Sequence, residues 1–159
     1  MYIIYDIITV YEVKGGLPME YVAKSTAETR AFAKVLAKQL KRGTVIAFEG
    51  DLGAGKTCFT HGLCEGLDFT GEVSSPTFAI VNVYLGGKMP IYHFDMYRIN
   101  GWDDLETTGY FDYTERGDGI TVVEWSENIH SALPDDTIFI KIEKIDQNSR
   151  KITLSGGGF

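Results

Sequence analysis

The run Gly50-Asp51-Leu52-Gly53-Ala54-Gly55-Lys56-Thr57 constrains this chain more than any other stretch. It fits the phosphate-loop pattern of a glycine, four residues, then Gly-Lys-Thr. Its flanks supply the context that the pattern requires. Residues 44–48 (Thr-Val-Ile-Ala-Phe) are apolar and rich in β-formers and read as a buried strand, while residues 58–67 continue as a helix. Glycines in such a turn let backbone N–H groups converge on phosphate oxygens with no Cβ in the way. On this reading Asp51, Leu52, Gly53, Ala54, Gly55, Lys56, Thr57 and Cys58 wrap the phosphates of a nucleotide. Lys56 reaches the β- and γ-phosphates, and the Thr57 hydroxyl ligates Mg²⁺. The bland alternative is an ordinary glycine-rich strand-to-helix turn, which motif and context together outweigh.

The rest of the chain reads as one α/β unit. At 159 residues it is long enough to bury about two-thirds of its unfolded surface. Residues 2–13 are β-prone and end in a Gly-Gly-Leu-Pro turn; with Asp6 inside the run and no basic residue before it, they do not read as a signal peptide. Residues 1–18 are therefore set apart as an N-terminal extension, and residues 19–159 as a single domain. A short strand over 20–24 leads into Ser25-Thr26-Ala27-Glu28, whose spacing is that of a capping box. Phe32, Val35, Leu36 and Leu40 then recur at helical steps, as far as Lys41-Arg42-Gly43. Strands are expected over 78–85 and 91–94, joined by a Gly86-Gly87 hairpin turn. Short helices are expected over 102–108 (capped by Asp103), 110–115 and 126–129. Strands over 120–123, 137–142 and 150–154 complete the pattern, before a glycine tail. The fold class is a three-layer, phosphate-loop NTPase-like α/β fold. Its sheet is mixed but mainly parallel, and includes an antiparallel strand pair.

Composition narrows the partners. A net charge of −7 and a pI near 4.9 argue against a bare nucleic-acid binder, which needs a basic face. Contact with RNA is expected only indirectly, through a protein partner. No apolar run approaches the ~20 residues of a membrane span. Cys58 and Cys64 stand about 120° apart on a helix, which is neither a metal pair nor a disulfide framework. Two reduced thiols fit a cytoplasmic protein.

A phosphate loop needs a carboxylate at a nearby strand end to serve Mg²⁺. Asp95 ends the run Ile91-Tyr92-His93-Phe94, and Glu124 ends Ile120-Thr121-Val122-Val123. Pattern alone does not separate them, because both close an apolar strand with an acid. Trp125 follows the second, and is as good a core residue as a site residue. His93 and Asp95 share one strand face. A hydrogen-bonded structural role suits His93 best.

These segments carry a resemblance. The phosphate loop, Ser75-Pro76-Thr77-Phe78, His93-Phe94-Asp95-Met96-Tyr97-Arg98 and Glu124-Trp125-Ser126-Glu127 resemble the TsaE (YjeE) family of small ATPases in order and spacing. So do Leu133-Pro134 and Arg150-Lys151-Ile152-Thr153-Leu154, and the likeness covers roughly residues 20–156. It implies an Mg²⁺-dependent ATPase required for threonylcarbamoyladenosine formation beside the tRNA anticodon, acting on the TsaD–TsaB pair. It also implies that Lys56 and Thr57 serve phosphates and Mg²⁺, and that Glu124 completes the metal site. Thr77 would belong to a switch-like loop, Asp95 would be needed for turnover, and Trp125 would lie next to the nucleotide.

Two rivals remain at this stage. A small-molecule kinase usually carries an arginine-rich lid, and the five arginines here are scattered singly. A nucleotide-gated interaction module without hydrolysis shares every motif. Glu143-Lys144-Ile145-Asp146 is a near miss to the guanine-reading Asn-Lys-x-Asp run, with Glu in the leading place; adenine is the base that the family resemblance implies.

Overall fold

A computed structural model describes residues 19–157. The expected strand over residues 2–13 and the last glycine of the tail lie outside them. Ser25 caps the first helix, α1 (Thr26–Ala37), by accepting the Glu28 N–H at 3.1 Å. Glu28 reaches back as the capping box predicts, but to the N–H of Lys24 rather than that of Ser25. The helix stops short of the expected end. The chain tightens into i→i−3 bonds from Gln39 to Leu36 and Leu40 to Ala37, which still deliver Leu40 to the core.

Among the described residues seven strands form one sheet: β1 (Met19–Ala23), β2 (Val45–Glu49), β3 (Val81–Tyr84), β4 (Ile91–Asp95), β5 (Ile120–Glu124), β6 (Ile138–Lys144) and β7 (Arg150–Gly156). Their order is β1-β7-β6-β2-β5-β4-β3. The central strands β6, β2, β5 and β4 run parallel. Antiparallel β7 and β3 flank them, and β1 pairs outside β7. The final strand runs to Gly156, so the start of the glycine tail is paired rather than loose.

Alternation along the strands assigns the two faces. Ile46, Phe48, Ile91, Ile120 and Val122 pack under α1 and α2 (Lys56–Gly66). Val45, Tyr92, Phe94 and Val123 face α3 (Trp102–Glu106), α4 (Tyr110–Arg116) and a 3₁₀ segment (Ser126–Ala132). The result is the expected three-layer fold. Helix α3 starts at Trp102 as expected but ends at Glu106, and its cap position is Gly101 rather than Asp103, while Asp104 accepts the Asn100 N–H. No helix of the described residues is long and apolar enough to cross a membrane.

Two strand expectations need correction. Strand β3 begins at Val81, not Phe78, because Ile80 turns into the left-handed region (φ 67°) and its N–H bonds back to Pro76 O. Strands β3 and β4 pair from Tyr84 and Ile91, so the connection spans residues 85–90 rather than a two-glycine turn.

Helices α1 and α2 meet through small residues, with an Arg30–Glu65 ion pair alongside. A Cβ on Gly62 would lie 2.5 Å from Arg30 O and 2.7 Å from Ala33 Cβ. Backbone on the far side cannot yield cheaply, so Gly62→Val must push the helices apart. The expected cost is about 1–3 kcal/mol, several degrees in Tm. Thermal denaturation checks it, and an unchanged Tm would mean that the helices separate freely.

Candidate functional site

The site sits where such a sheet places one, at the carboxyl ends of its parallel strands. Strand β2 delivers the loop at residues 50–55. Gly50 (φ 149°) passes so close to β6 that a Cβ would stand 2.6 Å from Ile142 O. Gly55 (φ 112°) opens α2 with no side-chain cap, leaving the first-turn N–H groups without the usual local acceptor. The helix begins at Lys56, two residues before the sequence suggested. The Lys56 amino group is folded back inside the loop, donating to Gly50 O at 2.9 Å, and lies 5.3 Å from the Trp125 ring centre.

Adjacent strands bring the two acids together. Asp95 and Glu124 are register partners at the ends of β4 and β5. Both are buried, on the same sheet face as the phosphate loop. They occupy different surroundings. Asp95 Oδ1 accepts the Tyr97 N–H at 2.9 Å, which fixes the carboxylate plane. Glu124 Oε2 accepts the Ser75 hydroxyl at 3.1 Å and stands 3.5 Å from His93 Nε2. Burial pushes the Glu124 pKa up, but His93, Lys56 and the Ser75 hydroxyl outweigh it, so the net shift is downward. Glu124 is thus an ionised carboxylate at neutral pH.

These groups line one cleft of about 630 Å³, together with Leu52, Gly53, Gly55, Thr57, Cys58, Ser75, Thr77, Tyr97 and Trp125. Most of the residues singled out in the sequence meet here. Asp51 and Ala54 do not line it: Asp51 is exposed, and Ala54 is buried in the core under the loop. Thr77 stands at the mouth, with its hydroxyl 3.3 Å from that of Ser75. Trp125 takes a left-handed conformation (φ 57°) and packs on Tyr97, lining the cleft and touching the second core at once. Cys58 lines the cleft, whereas Cys64 lies in the core.

Two further charged residues of the segments quoted from the sequence lie elsewhere. Arg98 lies over the Phe78 ring at 5.0 Å, outside the cleft. Asp146 accepts the N–H groups of Asn148 and Ser149, which makes it a turn residue between β6 and β7. Sequence reasoning missed Arg150 as a contributor to the site. Its Nε donates to Ala54 O at 2.8 Å, and Nη1 binds the carbonyls of Asp146 and Ser149. An arginine opening an edge-side strand gives no local signal of that reach. Tyr84 was missed as well; its hydroxyl bonds Ser74 O at 2.8 Å.

The donor set suits a magnesium–nucleotide better than a protein-caged metal. Among the described residues no group of three His, Cys, Asp or Glu side chains could hold an ion. Mg²⁺ at phosphate sites takes one or two protein ligands beside phosphates and water, and Thr57 with Glu124 supplies that number. The glycine-lined approach and the uncapped helix start supply the anion side.

Comparison with known proteins agrees with this architecture. The family model described as "Threonylcarbamoyl adenosine biosynthesis protein TsaE" matches residues 23–152. The Bacillus subtilis (strain 168) tRNA threonylcarbamoyladenosine biosynthesis protein TsaE is 44% identical over 131 residues, covering 82% of this chain and 81% of that protein. The Treponema pallidum protein of the same name is 36% identical over 137 residues, covering 86% of this chain and all (100%) of that one. The crystal structure of Bacillus subtilis YdiB superposes with a TM-score of 0.76 at 36% identity, covering 92% of this chain and 90% of that chain. On sequence and structure alike, the chain belongs to the TsaE family.

Proposed function

We propose that this chain is an Mg²⁺-dependent ATPase that serves threonylcarbamoyladenosine formation in tRNA by acting on the TsaD–TsaB pair. The observation that carries this reading is the convergence of the phosphate loop, Asp95 and Glu124 on one cleft. ATP is the substrate. The loop N–H groups and Lys56 spread the phosphate charge once the Lys56 amino group leaves Gly50 O. Thr57 and Glu124 would hold Mg²⁺, which when bound draws charge from the β- and γ-phosphate oxygens. Asp95 has one oxygen fixed by Tyr97 and the other left to orient a water for in-line attack. Thr77 and Ser75 form the loop that senses the γ-phosphate, and Trp125 covers the nucleotide beside Lys56. The acidic composition supports an indirect route to tRNA, through the partner, and the two free cysteines suit the cytoplasm.

Reconstitution tests the proposal. A tRNA-modification mixture containing TsaD and TsaB should form threonylcarbamoyladenosine over many turnovers with this chain and ATP. It should not do so with Lys56→Ala. If a non-hydrolysable ATP analogue supports repeated turnover as well as ATP does, the chain is a nucleotide-gated module instead.

A further inference from the structure

His93, on β4, is fully buried, and its ring nitrogens face two different groups. Nδ1 lies 3.2 Å from the Tyr84 hydroxyl. Nε2 points at Glu124, 3.5 Å from Oε2, but makes no aligned hydrogen bond there. A buried ring nitrogen is rarely left without a partner. This one faces the carboxylate to which metal holding is assigned.

Proton accounting connects the groups. The Tyr84 hydroxyl has one proton and two acceptors in reach, Ser74 O at 2.8 Å and His93 Nδ1 at 3.2 Å. Ser74 O has a second donor, Asn82 Nδ2 at 3.0 Å, so it stays satisfied when the Tyr84 proton turns to His93. A neutral imidazole then carries its hydrogen on Nε2, directed at Glu124. The Ser75 hydroxyl donates to the same Glu124 oxygen, and the Ser74 N–H donates to the Tyr84 hydroxyl oxygen at 3.3 Å. Ser74, Tyr84, His93, Glu124 and Ser75 therefore close a ring of contacts that begins and ends in one loop.

We infer that His93 is a positioning residue for Glu124: oriented by Tyr84, it sets the carboxylate for metal binding and ties that setting to the loop at Ser74 and Ser75. The inference rests on the reading of Glu124 as a metal-holding acid. Outer partners of a ligating carboxylate commonly govern metal affinity by ~10–100-fold. A purely space-filling histidine would tolerate an apolar residue of similar volume. A positioning histidine would not.

Replacements of different donor geometry separate these cases. Gln places its amide nitrogen near the imidazole Nε2 and keeps a donor toward Glu124, whereas Leu has none and the Asn amide is too short. The readout is the Mg²⁺ concentration that half-saturates binding of a fluorescent ATP analogue to the whole chain, with thermal denaturation in parallel. His93→Leu and His93→Asn should raise that concentration about 10-fold, while His93→Gln stays within about threefold of wild type. Tyr84→Phe, which frees the imidazole tautomer, should move it the same way by a smaller factor. Binding without Mg²⁺ should be equal in all of them. If His93→Leu does not fold, His93→Asn carries the comparison. Equal Mg²⁺ dependence across these variants would overturn the inference. Wild-type chain that shows Mg²⁺-dependent binding but no hydrolysis would overturn the ATPase reading alone. Mg²⁺-independent binding by the wild type would overturn both.

Discussion

Asp95→Asn is expected to leave nucleotide affinity within about twofold and to lower turnover by ~10²–10⁴, the usual range for losing a group that handles the attacking water. The substitution is chosen for its geometry. Asn keeps the oxygen that accepts the Tyr97 N–H and has the same volume, so a buried position stays filled and bonded. What it loses is the charge on the other oxygen. Glu124→Gln, one strand away, should separate from it. Its carboxylate is held below its ordinary range by His93, Lys56 and Ser75 against burial, and on the proposed reading removing its charge takes away a ligand of Mg²⁺. Mg²⁺-dependent binding should weaken first, with lost turnover following from it. Titration of a fluorescent analogue with and without Mg²⁺, followed by single-turnover hydrolysis, measures both. If Asp95→Asn loses Mg²⁺-dependent binding and Glu124→Gln keeps it, the two roles are exchanged.

That split was only half legible in the sequence. Both acids announce themselves as ends of apolar strands, because burial of Ile91 to Phe94 and of Ile120 to Val123 leaves the terminal carboxylate as the conspicuous polar group. Their register partnership does not, since the pairing of β4 with β5 is set by sheet order and not by local pattern. The phosphate loop was legible for a different reason: its glycines answer local steric demands, and Gly50 meets one at Ile142 O. Contacts made across long sequence separations were invisible. Arg150 reaches Ala54 from 96 residues away, and Ser75 reaches Glu124 from 49. The β3 boundary failed because Phe78, Ala79 and Ile80 read as part of a strand, while the Pro76–Ile80 turn overrides that preference. Ile80 in a left-handed conformation is a costly choice for a β-branched residue. It lies beside the site, since its carbonyl accepts the Asp95 N–H at 2.8 Å.

The isolated chain is expected to hydrolyse ATP slowly, and the TsaD–TsaB pair to raise kcat by about 10³-fold, the lower end of what a missing arginine costs in related phosphoryl-transfer sites. None of the five arginines of the chain lines the cleft. Arg30 pairs with Glu65, Arg42 bonds the carbonyls of Asp118 and Lys88, and Arg98 covers Phe78. Arg116 stacks on Tyr92 and Tyr113, and Arg150 pins the loop through Ala54. Among the described residues Lys56 is the one cationic side chain lining the cleft. At its mouth, Leu52 is 91% exposed, and nearby Phe78 is 83% exposed. Exposed apolar groups beside an incomplete electrostatic site are what a stimulating partner would cover, excluding water as it adds charge or order. Arg98 offers the alternative source, since it needs only to leave Phe78. Steady-state hydrolysis of wild type and Arg98→Ala, each with and without the partner pair, distinguishes them. Stimulation of both proteins alike assigns the missing element to the partner, and loss of stimulation in Arg98→Ala assigns it to this chain. Equal turnover with and without partner would mean that the cleft is complete as it stands, with Lys56, the loop N–H groups and Mg²⁺ sufficing for the transition-state charge.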